Sequence, residues 1–245
     1  MNINKDSRGF LDIGNALLMK LRRIFAKTKC SAFNILNNNE KLNYIGKIYA
    51  INLDRQPDRF SRVQSEFSRV TDAFRKPLIN MLERVSAIDA INLEQYGDTS
   101  NVDSKYTLGE QLFVDPCRTL PQGVNLDMEI DMSKQEIAVA LSHIKVWQKI
   151  ASGTEPYALV IEDDICLHPS FSNLMEKGWN EIKNQEKNDT LFDILFLSFK
   201  EVDLGAEKTK FTDSTFKLYR GIWYMSGYVL SKEGANKLIG MLLLL

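Results

Sequence analysis

The sequence predicts a single α/β domain in which a mainly parallel central sheet is flanked by helices. Two observations carry that expectation. Lys47–Leu53, Tyr157–Ile161 and Asp193–Phe199 are short apolar runs without polar alternation, the pattern of strands buried on both faces. Polar loops and helical patterns stand between them, which is the strand–loop–helix order of a doubly wound sheet.

Composition narrows the class. With 245 residues, 44% hydrophobic and 26% charged, the chain is long enough for one sizeable globular domain. A net charge of -1 with dispersed basic residues gives no footprint for nucleic acid. Cys30, Cys117 and Cys166 form no CxxC pair, so free thiols in a reducing compartment are expected, and with only two histidines a zinc site is not. No segment reaches the roughly 20 apolar residues that span a bilayer, and no secretory leader is legible. Cytoplasmic or cytosol-facing action follows as the expectation.

Residues 1–46 read as an appendage, partly helical or flexible, and residues 47–245 as the domain. Within the appendage, Ala16–Phe25 is apolar on one side and flanked by Lys20, Arg22, Arg23 and Lys27. Such a piece suits peripheral membrane contact, or packing against the domain, which is the preferred reading. Lys47–Leu53 is the first strand and Asp54–Arg59 a turn, with a helix from Phe60 to Val70. Leu82–Ala87 is a second strand, and Asn92–Asp131 reads as irregular loops and short helices. Ser133–Ile150 carries Ile137, Leu141, Ile144, Trp147 and Ile150 along one face, with Ser133 and Glu136 spaced as a capping box. Tyr157–Ile161 follows as a strand and Ser170–Gln185 as a helix. Asp193–Phe199 is another strand, and Lys200–Asp213 a polar loop. Gly221–Leu230 forms strand and turn, and Ser231 caps a last helix, Glu233–Leu242.

Chemistry concentrates at Glu162-Asp163-Asp164, directly after the Tyr157–Ile161 strand. Adjacent carboxylates raise one another's pKa unless a cation or donor compensates. At a sheet mouth, Mg²⁺ or Mn²⁺ bridging to a substrate diphosphate would compensate, with Glu162 and Asp164 pointing the same way as the metal pair. A solvated surface turn is the alternative. His143 stands off the apolar stripe of its helix, either facing the site or satisfied structurally, and His168 is a weaker candidate ligand.

Five blocks in order resemble glycosyltransferase family 25, which includes bacterial lipopolysaccharide glycosyltransferases and procollagen galactosyltransferases. They are KIYAINLDRQPDRF from Lys47, ERVSAIDA from Glu83, EIAVALSHIKVWQKI with YALVIEDDICL from Glu136 and Tyr157, DILFLSF from Asp193, and GYVLSKEGANKL from Gly227. The resemblance implies a GT-A-like, Rossmann-like domain that transfers a hexose or N-acetylhexosamine from a UDP-sugar to a hydroxyl acceptor. The acceptor would be a surface-glycan sugar or collagen-type hydroxylysine, and the reaction metal-assisted and inverting.

Residue by residue, the resemblance puts Asp164 directly on Mn²⁺ or Mg²⁺, with Glu162 sharing the ion or contacting the ribose, and Asp163 either against the nucleotide-sugar or anchoring the turn instead. Asn52, Asp54, Arg55, Arg59 and Asp89 become candidate nucleotide contacts. A turn-stabilising Asp54–Arg59 ion pair and a loop-capping Asp89 are their structural alternatives. Trp223, Tyr224 and Gly227 fall on the acceptor side, where aromatic faces suit stacking on sugar rings and glycine permits close backbone approach. His143 and Glu233 are candidates for the general base, although Glu233 also suits the first helical turn on dipole grounds alone.

The chain departs from the family twice. Gln135 stands where many relatives have glycine, which is expected to alter a local turn. The sequence stops at Leu245, where relatives continue into a segment with a further acidic residue. A UDP-sugar-binding protein with little or no turnover is therefore the second expectation, and a nucleotidyltransferase using the same metal logic the third.

Overall fold

The computed structural model describes residues 43–72, 74–97, 99–107, 109, 123, 125–186, 189–201, 207–220 and 222–242. The expected appendage and its basic amphipathic segment lie outside these residues. Strand β1, Ile45–Asn52, is the axis of the fold. It pairs in parallel with β2, Leu82–Ser86, on one side and with β5, Tyr157–Glu162, on the other.

Both faces of these strands are covered, which explains the continuous apolar runs. Tyr157, Leu159 and Ile161 of β5 pack with Ile48, Ala50, Val63, Phe67, Trp179 and Ile182 on one face. Ala158 and Val160 pack with Tyr49, Ile51, Val146, Ile150 and Tyr228 on the other. Helices α1 (Pro57–Ser68) and α4 (Phe171–Gln185) cover the first face. The second face takes α3 (Lys134–Ser152) and α5 (Lys232–Leu242).

The sheet is mixed. Its order is β2-β1-β5-β9-β6, and β9, Ile222–Ser231, runs antiparallel to both β5 and β6, Ile194–Glu201. A parallel neighbour needs a helical crossover, whereas β6 and β9 are joined through the hairpin-like pair β7 (Glu207–Lys210) and β8 (Phe216–Arg220). The polar loop expected at Lys200–Asp213 thus contains a strand. All four residues of β7 are exposed, so no apolar period marked it. The resulting architecture, a mixed sheet with its parallel half first and helices on both faces, is compatible with the GT-A-like class.

Boundaries moved for local reasons. Helix α1 starts at Pro57, so the expected turn ends at Gln56; proline at the first helical position has no N–H to lose. The expected irregular stretch contains α2 (Leu93–Tyr96) and the antiparallel pair β3 (Lys105–Thr107) and β4 (Glu129–Asp131). Ser133 and Glu136 form the capping box in both directions, Glu136 N donating to Ser133 Oγ at 3.2 Å and Ser133 N to Glu136 Oε2 at 2.7 Å. None of the described helices is long and apolar enough to cross a membrane.

The last helix is docked by its first turn. Gly234 N donates to Ser231 Oγ at 2.9 Å, and Ser231 N donates to the Asp193 carbonyl at 2.9 Å. A Cβ on Gly234 would stand 2.5 Å from that same carbonyl oxygen, which is backbone and cannot rotate aside. Gly234→Ala is therefore expected to cost about 1–3 kcal/mol by overpacking, a fall of several degrees in Tm by differential scanning fluorimetry.

Candidate functional site

The carboxyl ends of β1, β2 and β5 lie side by side, because Ile51 is in register with Glu162 and Asn52 with Ser86. The acidic triplet leaves the sheet beside the β1–α1 loop. Ligands of open α/β sheets bind at such an edge.

Asn52 organises this edge. It is 1% exposed. Its Nδ2 donates to the Gln56 carbonyl at 2.9 Å and to Asp163 Oδ2 at 2.7 Å, while its Oδ1 accepts from Arg84 Nε at 2.7 Å. Arg84 Nη2 also reaches Asp54 Oδ1 at 2.6 Å, and Ser86 Oγ donates to Asp54 Oδ2 at 2.9 Å. The Arg84 bond, then the Ser86 hydroxyl, holds Asp54 below the usual carboxylate range. Arg59 Nη1 donates to the other oxygen of Asp163 at 3.0 Å. Asp163 is thus clasped at both oxygens, and the expected Asp54–Arg59 pair gives way to Asp54–Arg84 and Arg59–Asp163.

Arg55 Nε donates to Asp89 Oδ2 at 2.6 Å, and Asp89 Oδ1 accepts from Ile91 N at 3.1 Å. The guanidinium first, and the backbone N–H second, lower the Asp89 pKa. Asp89 therefore caps the short 3₁₀ turn at Ala90–Asn92 and ties the β2 loop to the β1 loop.

These loops and the first half of α3 enclose a cleft of about 210 Å³. Arg55, Arg59, Asp89, His143, Glu162, Asp163 and Asp164 all line it. Asp164 is exposed to the cleft and has no hydrogen-bond partner among the other described residues. Partial burial, then the neighbouring charges of Glu162 and Asp163, raise its pKa. Glu162 Oε1 lies 3.2 Å from His143 Nε2, and its second oxygen has no partner among the described residues. A roomier, mainly apolar cavity of about 670 Å³ lies between α4, β6 and the β7–β8 pair, and none of the candidate residues lines it.

Several expectations are corrected by position. Glu233 sits in the first turn of α5, beside the start of β5, since Lys232 N donates to the Pro156 carbonyl. The length of β5, about 16 Å at the usual rise per residue, separates it from the triplet, so it is not the general base of this cleft. His143 is 4% exposed with both ring nitrogens engaged, Nε2 by Glu162 and Nδ1 by Tyr228 Oη at 3.0 Å, so it has no free nitrogen for an acceptor proton. His168 Nδ1 accepts from Ser170 N at 3.1 Å in the turn before α4. Asn52 and Asp54 are consumed by the protein, and neither lines the cleft.

On the side expected to face an acceptor, Gly227 is in register with Ile161, so Ser226 stands opposite Glu162 and Met225 and Tyr224 run past the end of β5. Tyr224 is 64% exposed with φ +73°, an unusual backbone state for an aromatic residue. A Cβ on Gly227 would be 3.5 Å from Ser198 Cβ, ordinary contact, so close backbone approach does not require glycine there. The Trp223 side chain lies outside the described residues.

Arg84, Tyr228 and Gln135 were not foreseen as parts of the site. Arg84 is the one cation within β2, Leu82-Glu83-Arg84-Val85-Ser86, next to the buried Val85, which is the signal its sequence carries. Gln135 lines the cleft rather than altering a turn, because α3 presents its first turn to the triplet.

The family model for glycosyltransferase family 25, described as an LPS biosynthesis protein, matches residues 45–243. A glycosyltransferase 25 family member of Aedes aegypti is 24% identical over 195 residues, 80% of this chain and 28% of that protein. Human procollagen galactosyltransferase 2 is 24% identical over 199 residues, 79% of this chain and 27% of its own length. A bovine relative named probable inactive glycosyltransferase 25 family member 3 is 25% identical over 199 residues, 79% of this chain and 28% of that protein. The chain thus spans little more than a quarter of these relatives. With the motif blocks folded into one sheet edge and the family model covering that whole domain, the chain belongs to glycosyltransferase family 25.

Proposed function

We propose that the cleft binds a UDP-sugar and that the domain transfers its hexose or N-acetylhexosamine to a hydroxyl acceptor, a glycan sugar or collagen-type hydroxylysine, with inversion. Family membership supports glycosyl transfer as the reaction class. One observation carries the finer reading: Asp163 is neutralised by Arg59 and Asn52, whereas Asp164 and one oxygen of Glu162 are left open beside it.

This donor set fits a small divalent cation. Among the described residues no three His, Cys, Asp or Glu side chains form a complete cage. Mg²⁺ and Mn²⁺ do not need one at a diphosphate site, where one or two carboxylates suffice and substrate oxygens complete the shell. Glu162 and Asp164 would hold the ion, which when bound supplies Lewis-acid stabilisation of charge on the departing diphosphate. The chain's own contribution is orientation. Asn52 and Arg59 fix the Asp163 backbone between the two open carboxylates, and Arg59 keeps further N–H donors for diphosphate oxygens. Arg55 and Asp89 brace the opposite wall.

A second reading, UDP-sugar binding with little or no turnover, is favoured by one finding: neither candidate base is placed to deprotonate an acceptor. Incubation with UDP-sugars and Mn²⁺ separates the two. Release of UDP, even without acceptor, supports the transferase, and tight UDP binding without release under any donor supports the binding protein.

Asp164→Asn tests the triplet through two opposite effects. A carboxyl whose folded pKa is raised above the ordinary value of about 3.9 loses stability for the fold as pH rises through that window. Asparagine removes this repulsion, so the metal-free variant should melt about 1–2 °C higher at neutral pH, the scale of a few tenths of a kcal/mol. The same variant should lose the Mn²⁺-dependent stabilisation by UDP, and undiminished stabilisation would take the triplet out of the site.

Tyr224→Gly addresses the acceptor side. Relief of the positive φ should raise Tm by a few degrees, about 1 kcal/mol. Loss of the aromatic face should raise the acceptor KM more than it lowers kcat, and an unchanged acceptor KM would remove Tyr224 from that surface.

A further inference from the structure

We propose that His143 is a positioning residue, locked in its Nε2–H tautomer by Trp147 and Tyr228 so that it fixes the Glu162 carboxylate at the mouth of the cleft. The link to Glu162 rests on the donor-site reading above, whereas the tautomer does not.

The chain of hydrogen bonds has one consistent direction. Trp147 Nε1 lies 2.9 Å from Tyr228 Oη, and an indole N–H can only donate. Tyr228 is 0% exposed, and burial pushes its hydroxyl pKa well above the ordinary value, so it keeps its proton. His143 Nδ1, at 3.0 Å, is the acceptor within reach of that proton among the described residues. Nδ1 is then unprotonated and the ring proton sits on Nε2, 3.2 Å from Glu162 Oε1, which accepts. The reverse tautomer would strand the buried tyrosine proton and set a nitrogen lone pair against a carboxylate.

The fold supplies the alignment. Trp147 and His143 are four residues apart on α3 and share one face. Tyr228 is in register with Val160, and Glu162, two residues further along β5, points to the same side of the sheet. Ser142 anchors α3 independently, accepting from Ile88 N at 2.9 Å and donating to the Ala138 carbonyl at 2.7 Å. Glu162 is thereby held by one oxygen, and the other remains for a ligand beside Asp164.

Two measurements on the full chain test this. In ¹⁵N NMR of the ¹⁵N-histidine-labelled protein without metal, the His143 ring should show a bare Nδ1 and a protonated Nε2, and Tyr228→Phe should allow the second tautomer to appear. A protonated Nδ1 in the wild type overturns the relay. Mn²⁺-dependent UDP binding by calorimetry then tests the consequence. His143→Gln can still accept from Tyr228 and donate to Glu162, and should keep affinity within about threefold. His143→Leu should lose roughly 10–100-fold, the scale seen when a residue orienting a metal-binding carboxylate is removed. Equal loss in both variants, with both folded by thermal melt, overturns the positioning role. If the wild type itself binds no Mn²⁺–UDP, the donor-site reading fails, and the ring spectrum alone decides the relay.

Discussion

Three consecutive carboxylates close β5, and the end of the sheet is arranged so that each is treated differently. Glu162 accepts from a buried imidazole, Asp163 is clasped by an amide and a guanidinium, and Asp164 is left to the cleft. Like charges this close would otherwise suppress one another's ionisation or splay the turn. Neutralising the middle residue fixes the backbone there. The flanking two then both line the cleft, and on that donor set the proposed divalent-cation and diphosphate site rests.

That division depends on β1 more than on β5. Asn52 is buried at the end of the central strand and reaches Asp163 on one side and Arg84 of β2 on the other. One side chain thus couples three strand ends, and its amide is spent on the protein itself. Its role within the molecule is mechanical: it sets where Asp163, and with it the triplet, stands. Arg55 and Asp89 repeat the device one layer out, tying the two loops that face α3.

Helix α3 and strand β9 complete the frame from the other face. The helix buries Leu141, Ile144, Val146 and Ile150 while turning His143 toward the triplet and Gln135 into the cleft wall. Strand β9 brings Tyr228 beneath His143 because it runs antiparallel between β5 and β6. A parallel strand reached by a helical crossover would present other residues there. Past Gly227 the same strand extends beyond β5 and carries Tyr224, strained and exposed, onto the surface proposed for the acceptor.

Much of this was legible in residue order. Continuous apolar runs marked β1 and β5 because both faces of those strands are buried. The run at β6 also marked a strand, but one at the sheet edge that is half-buried and exposed from Ser198 to Lys200. The Ser133–Glu136 spacing marked the start of α3 because capping is local. The triplet was visible for the same reason, three charges directly after a buried strand. Strand β7 was not, since a strand exposed on both faces carries no apolar period. Glu233 and His143 were equal candidates as bases from their local settings, and the fold separated them by placing one at the far end of β5 and occupying both nitrogens of the other. Asp163 meets Asn52 across 111 residues of chain, and His143 meets Tyr228 across 85. Local pattern could identify the acidic chemistry and the strand that bears it. The choice of which carboxylate is neutralised and which is open was made by those distant partners, because charge pairing depends on separation in space and not on separation along the chain.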